Sequence, residues 1–166
     1  TLFRSDDRRK TLRPSRGQMV RGLAKENLLP AIVFVFSRAG CDGAVQQLLG
    51  TNIVLTNSAE RSELMRIAEK YSAQLTYDDK LALGWDNFIE ALGRGIAAHH
   101  AGLLPAFKAI IEEGFTRGLI KVVFATETLA LGINMPARTV LIERLVKYNG
   151  EAHVDITPGE YTQLTG

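Results

Sequence analysis

VVFATETLALGINMPARTVLI, residues 122–142, brackets a loop of small and polar residues between two apolar, β-branched runs. The first run ends in Ala125-Thr126-Glu127-Thr128, a Gly-Ile-Asn turn follows at 132–134, and Pro136 precedes the second run at 139–142. In open α/β sheets, loops at the carboxyl ends of strands are where ligands bind. The stretch therefore predicts two strands of such a sheet, with hydroxyls and exposed backbone gathered at the edge between them.

Working outward, AIVFVF at 31–36 is a continuous apolar run rich in β-branched and aromatic residues, the pattern of a parallel strand covered on both faces. Ser37 and Arg38 follow at its carboxyl end, and helical spacing of Val45, Leu48 and Leu49 over 42–49 ends at Gly50. Asn57 and Glu60 are spaced as a capping-box variant ahead of Leu64, Ile67, Ala68 and Tyr71, which predicts a helix, and a second helix is expected over 78–92. GIAAH at 95–99 reads as a short strand. Ala101-Gly102 and a helix from Pro105, burying Phe107, Ile110, Ile111 and Phe115, come after it. Strand 120–125, a helix start at Thr128, strand 139–143 and a short helix from Pro158 complete the alternation. Strands separated by helices imply right-handed crossovers, a parallel sheet and functional loops on one edge.

The 166-residue chain is long enough for one domain with a proper core, and its 46% hydrophobic and 23% charged content excludes a disordered chain. Net charge is +2 but unevenly placed: residues 1–25 hold eight Lys or Arg against two Asp, leaving twelve against sixteen in the remainder. RRKTLRPSRG predicts a basic linker or flexible N-terminal segment over 1–25, with nucleic-acid contact as the rival reading, and a short helix over 18–26 leads through Leu28, Leu29 and Pro30 into the first strand. Because the body is mildly acidic, nucleic-acid contact there must come from a local groove and backbone amides. Cys41 is the sole cysteine, so there is no disulfide framework, and three His at no ligand spacing offer no metal site. Cys41 reads as a small buried residue, not a nucleophile. No apolar run approaches a membrane span of about 18 residues and the N-terminus lacks a signal-peptide core, so a cytoplasmic chain without membrane partners is expected.

HHAGLLPAFKAIIEEGFTRGLIKVVFATETLALGINMPARTV, residues 99–140, resembles the second RecA-like domain of superfamily-two DExH-box helicases, in particular the superkiller-like, exosome-associated RNA helicase group. FVFSRAGCD at 34–42 is similar to that family's motif IV, ATETLALGIN to its motif V, and GEYTQLTG at 159–166 to the opening half of its motif VI. The motifs stand in the family's order and cover most of residues 30–166. The resemblance implies an α/β, three-layer RecA-like domain of P-loop NTPase type with a mostly parallel sheet, here over residues 26–166 and incomplete at its C-terminus.

It further implies that Thr126 and Glu127, at a strand end, hold a backbone phosphate without reading a base; the bland role for Thr126 is a helix N-cap, and both can coexist. Ser37 and Arg38 would add a hydroxyl and a charge to the same strand. His100 to Gly102 would lie beside the nucleic acid mainly through backbone approach at Gly102. Gly132 and Asn134 resemble the motif V positions that face the nucleotide, and Gln163 the first residue of motif VI, which in the family continues with two arginines that clamp the γ-phosphate. No GxxxxGK(S/T) loop and no DExH sequence occurs in the chain. The implied ATP and Mg²⁺ would then depend on a first RecA-like domain that supplies the metal site and general base, and this fragment alone is expected not to hydrolyse ATP.

Single-stranded RNA is the implied partner, with the RNA-degradation machinery as an associated one. Related DNA-repair helicases also carry a GIN-type motif V, so DNA stays open, but LVKYNG at 145–150 and PGEYTQLTG at 158–166 resemble the RNA group more closely. A non-enzymatic RNA-binding scaffold is the rival from another class. A small dinucleotide-binding enzyme would need GxGxxG after the first strand, and SRAGCDGA is not one.

Overall fold

The computed structural model describes residues 15–126, 136–148 and 151–156. The run at residue 31 becomes β1 (Ala31–Phe34), flanked in parallel by β3 (Val122–Ala125) and β4 (Thr139–Tyr148), with β2 (Ile96–His99) outside β3. β5 (Glu151–Ile156) pairs antiparallel with β4, giving the order β2-β3-β1-β4-β5. β1 is central, and its alternate side chains enter different cores: Ala31 and Val33 one, Ile32 the other. That two-sided burial is why the run is apolar without alternation.

Helices cover both faces. α1 (Arg16–Lys25) and α2 (Arg38–Leu49) supply Met19, Val20, Leu23, Cys41, Ala44, Val45 and Leu48 against Val33, Phe124 and Leu141. On the opposite face α3 (Ser58–Ser72) and α6 (Pro105–Thr116) bring Leu64, Ile67, Ile110, Ile111 and Phe115 against Ile32, Val123 and Val140. α4 (Tyr77–Ala82) and α5 (Trp85–Gly93) lie between α3 and β2, and Phe88 of α5 stacks on Phe107 at 4.4 Å between ring centroids. Four parallel strands with helices on both faces make this an α/β sheet domain of the RecA-like kind, as expected.

Three local expectations change. Within the segment assigned to a basic linker, the short helix expected over 18–26 forms and starts two residues earlier, as Arg16–Lys25: Ser15 and Gln18 make a reciprocal capping box, and Met19, Val20 and Leu23 are buried in the core. Apolar residues at i, i+1 and i+4 inside a basic run give that helix one buried face, so packing begins at Ser15 and not at residue 26. Residues 1–14 lie outside the described residues. The helix expected over 78–92 is two helices, because Gly84 takes a left-handed φ of 69° that ends the α-helical path. β4 runs to Tyr148 and not to residue 143. The antiparallel register of β4 and β5 runs to the pair Tyr148↔Glu151, and the sequence between them is Asn-Gly, a dipeptide favoured between hairpin strands. The capping box at Asn57 and Glu60 forms as the spacing predicts, with both reciprocal bonds present. The helices expected to start at Thr128 and Pro158 fall outside the described residues.

Candidate nucleic-acid interface

Since β1 to β4 run parallel, their carboxyl ends share one edge. Phe34 is level with Ala125 and Ile142, and Ala125 with His99, so the chain leaves β1, β3 and β2 side by side at Val35, Thr126 and His100. Two backbone bonds extend the ladder past the strands: Val35 N–H donates to the Ala125 carbonyl (2.8 Å) and Thr126 N–H to that of His99 (3.3 Å). The loops carrying Ser37-Arg38, His100-Gly102 and Thr126 are thereby brought together.

Ser37 is the N-cap of α2, its hydroxyl accepting from Gly40 N–H at 2.9 Å. A Cβ on Gly40 would lie 2.7 Å from Val35 Cγ1 and 2.8 Å from Ser37 Oγ. Only a hydrogen fits, and this lets the helix begin directly over the strand end. Gly40→Ala is expected to cost about 1–3 kcal/mol through overpacking, read as a lower denaturant midpoint at unchanged slope. Arg38 is exposed, and among the described residues it makes no ion pair or hydrogen bond. Its guanidinium Nη1 lies 3.3 Å from where a Cβ on Gly102 would be, so the loops after β1 and β2 touch.

Both histidines of the pair are buried, each 6% exposed. His99 Nε2 meets a Glu112 carboxylate oxygen at 3.0 Å. His100 is held from both sides. Gly102 N–H donates to His100 Nδ1 (3.1 Å), so Nδ1 carries no proton; the proton sits on Nε2 and is donated to Asp42 Oδ1 at 3.0 Å. With both nitrogens engaged and the ring buried, His100 offers a ligand the position of its loop and not its ring. Ala101 and Gly102 are exposed.

Beneath this edge lies an ion pair that charge patterning did not single out. Arg16 of α1 donates through Nε to both Glu143 oxygens (3.1 Å each) and through Nη2 to Oε1 (2.5 Å), while Nη1 donates to Gln47 Oε1 at 2.6 Å. Cys41 is fully buried, as expected. Burial above all, then the Asp42 and Glu143 charges, push its thiol up to about 12, against a smaller opposing effect of Arg16. The folded chain should therefore resist iodoacetamide at pH 8 and react quickly once unfolded. The unfolded thiol ionises above about pH 9 while the folded one stays neutral, so this group costs stability as pH rises past that point.

Glu127, Gly132, Asn134 and Gln163 lie outside the described residues. Among the described residues no group of three or more His, Cys, Asp or Glu could hold a metal ion, and no helix is long and apolar enough to cross a membrane.

Comparison with known proteins places this edge in context. The chain is 58% identical over 153 residues to the protein named "Probable helicase HelY" of Mycobacterium tuberculosis, covering 92% of the chain and 17% of the relative. It is 48% identical over 144 residues to the chloroplastic DExH-box ATP-dependent RNA helicase DExH15 of Arabidopsis thaliana, 87% of the chain and 12% of the relative. With human Superkiller complex protein 2 it shares 44% over 138 residues, 83% of the chain and 11% of the relative. Its homologues are helicases: HelY, DExH-box RNA helicases and superkiller proteins, at 42–58% identity over most of the chain. No family model matches it. The chain spans less than one fifth of the length of these helicases, so what the complete proteins do is a question beyond the match itself.

Proposed function

We propose that the chain is the second RecA-like domain of an ATP-dependent RNA helicase and that the shared sheet edge grips the backbone of a single strand. The observation that carries this reading is the convergence of Ser37-Arg38, Ala101-Gly102 and Thr126 on one edge of a parallel sheet, in a chain whose homologues are helicases. A hydroxyl, a cation and exposed backbone bind phosphates without reading bases, which a motor moving along any sequence requires. Gly132, Asn134 and Gln163 would face the nucleotide, and ATP with Mg²⁺ would be completed by the first RecA-like domain. ATP supplies the phosphoryl-transfer free energy. This chain's own residues hold the strand while two domains open and close.

RNA as the strand is supported by the names of two relatives, DExH-box ATP-dependent RNA helicases of Arabidopsis thaliana. Association with an RNA-degradation assembly is supported by the name Superkiller complex protein 2. Location is proposed as cytoplasmic, with the chloroplastic relative as the contrary example. The test is the ATPase rate of the full-length helicase with single-stranded RNA, single-stranded DNA or neither, at matched salt. Selective stimulation by RNA is expected. Stimulation mainly by DNA would move the protein to the repair branch, and no ATPase with any strand would favour a scaffold.

A further inference from the structure

We propose that Asp42 is a positioning residue for the nucleic-acid grip, acting through the tautomer of buried His100 on the amide of Gly102. The proposal rests on the reading of this edge as the grip. Asp42 stands on the first turns of α2, the helix that Ser37 and Arg38 open, and its side chain is 60% exposed. Its carboxylate meets His100 Nε2, 58 residues away in the chain, at 3.0 Å.

The chemistry is a chain of two bonds with one consistent proton assignment. A carboxylate can only accept, so it requires the proton on Nε2. That leaves Nδ1 as an acceptor, and Nδ1 is the atom on which Gly102 N–H rests at 3.1 Å. Move the proton to Nδ1 and two N–H groups face each other, so the loop at 101–102 must turn away. Arg38 Nη1 lies against the same glycine, so a shift of that loop displaces the cation as well. Asp42 therefore ties the loop after β1 to the loop after β2 and fixes which way the exposed Ala101-Gly102 backbone faces.

Substitutions separate this role from bulk charge and from packing. In Asp42→Asn the amide oxygen still accepts from Nε2–H and keeps the tautomer. Asp42→Ala removes the acceptor on Nε2–H and leaves the Gly102 amide alone to hold the tautomer. His100→Asn places an amide oxygen near the Nδ1 position and keeps the acceptor for Gly102, whereas His100→Gln serves Asp42 and loses it.

In the full-length helicase, the RNA concentration giving half-maximal ATPase stimulation is expected to rise about 3- to 10-fold for Asp42→Ala and for His100→Gln, the weight of one hydrogen bond. It should stay near wild type for Asp42→Asn and His100→Asn. Asp42→Ala should have no further effect in the His100→Asn background, an outcome that a general loss of folding would not produce. Wild-type RNA response in Asp42→Ala, or Asp42→Asn as weak as Asp42→Ala, would overturn the proposal. Thr126→Ala is the control for the underlying reading: if it weakens RNA and Asp42→Ala does not, only the role of Asp42 falls. If Thr126→Ala also leaves RNA binding untouched, the grip itself is misplaced.

Discussion

Thr126→Ala in the full-length helicase is expected to weaken single-strand RNA binding about 3- to 10-fold and to lower unwinding per ATP hydrolysed by on the order of tenfold or more. The argument starts from position. Thr126 is the first residue past β3, its backbone held to the His99 carbonyl, and β3 sits between the strands that deliver Arg38 and Gly102 to the same edge. A hydroxyl there can hold a phosphate oxygen, and losing it costs one neutral-to-charged hydrogen bond in affinity. Coupling suffers more than affinity, because a strand that slips while the domains close wastes the whole cycle. Thr126→Ser keeps the hydroxyl and should restore both quantities. The competing role is a helix cap, whose loss would appear as about 1 kcal/mol of stability with RNA response intact. Binding by fluorescence anisotropy, together with strand release and phosphate release on one preparation, decides between them; equal losses in ATPase and unwinding would sink the uncoupling. Asn134→Ala, by the same division of roles, should act mainly on nucleotide affinity.

Most of the architecture was legible because its signals are local. The β-branched apolar run from Ala31 reads as a two-sided strand, although only Ala31–Phe34 join the sheet and Phe36 is exposed. A capping box with correct spacing fixes the start of α3, and alternation of strands with helices dictates the shared edge where Ser37, Gly102 and Thr126 meet. Misreadings arose where a local signal was outweighed or overlooked. The 78–92 pattern continues through Gly84 in apolar spacing, and only its left-handed φ splits it. Asn149-Gly150 is a hairpin signal between strand-like residues, and the antiparallel pairing of β4 with β5 is what carries β4 on to Tyr148. Of the candidate site, the edge residues proposed to meet a ligand were nameable from the motifs, while those that hold them in place were not. Asp42 is one acidic residue in a helix, and nothing in its neighbourhood reveals a partner at position 100.

Arg16 is the extreme case, and its removal should have the largest effect on folding. One of eight basic residues in the first twenty-five, it pairs with Glu143 across 127 residues of chain. Glu143 is enclosed, 3% exposed, and Arg16 is 9% exposed, so the pair has exchanged water for each other and for Gln47. Arg16→Ala leaves the carboxylate buried without its cation, a loss of about 3–5 kcal/mol, which should lower the melting temperature of this chain by roughly 6–20 °C. The bidentate geometry uses Nε and Nη2 together, so Arg16→Lys should recover little. A double replacement, Arg16→Met with Glu143→Leu, removes both charges and should regain most of the stability, since the burial penalty leaves with them. Because the pair also ties α1 to β4, trypsin should cut at Arg21 and Lys25 readily in Arg16→Ala and slowly in the wild type and in the double replacement. Equal cleavage in all three would mean that Met19, Val20 and Leu23 anchor the helix by themselves, and the ion pair would then be a consequence of packing and not a cause of it.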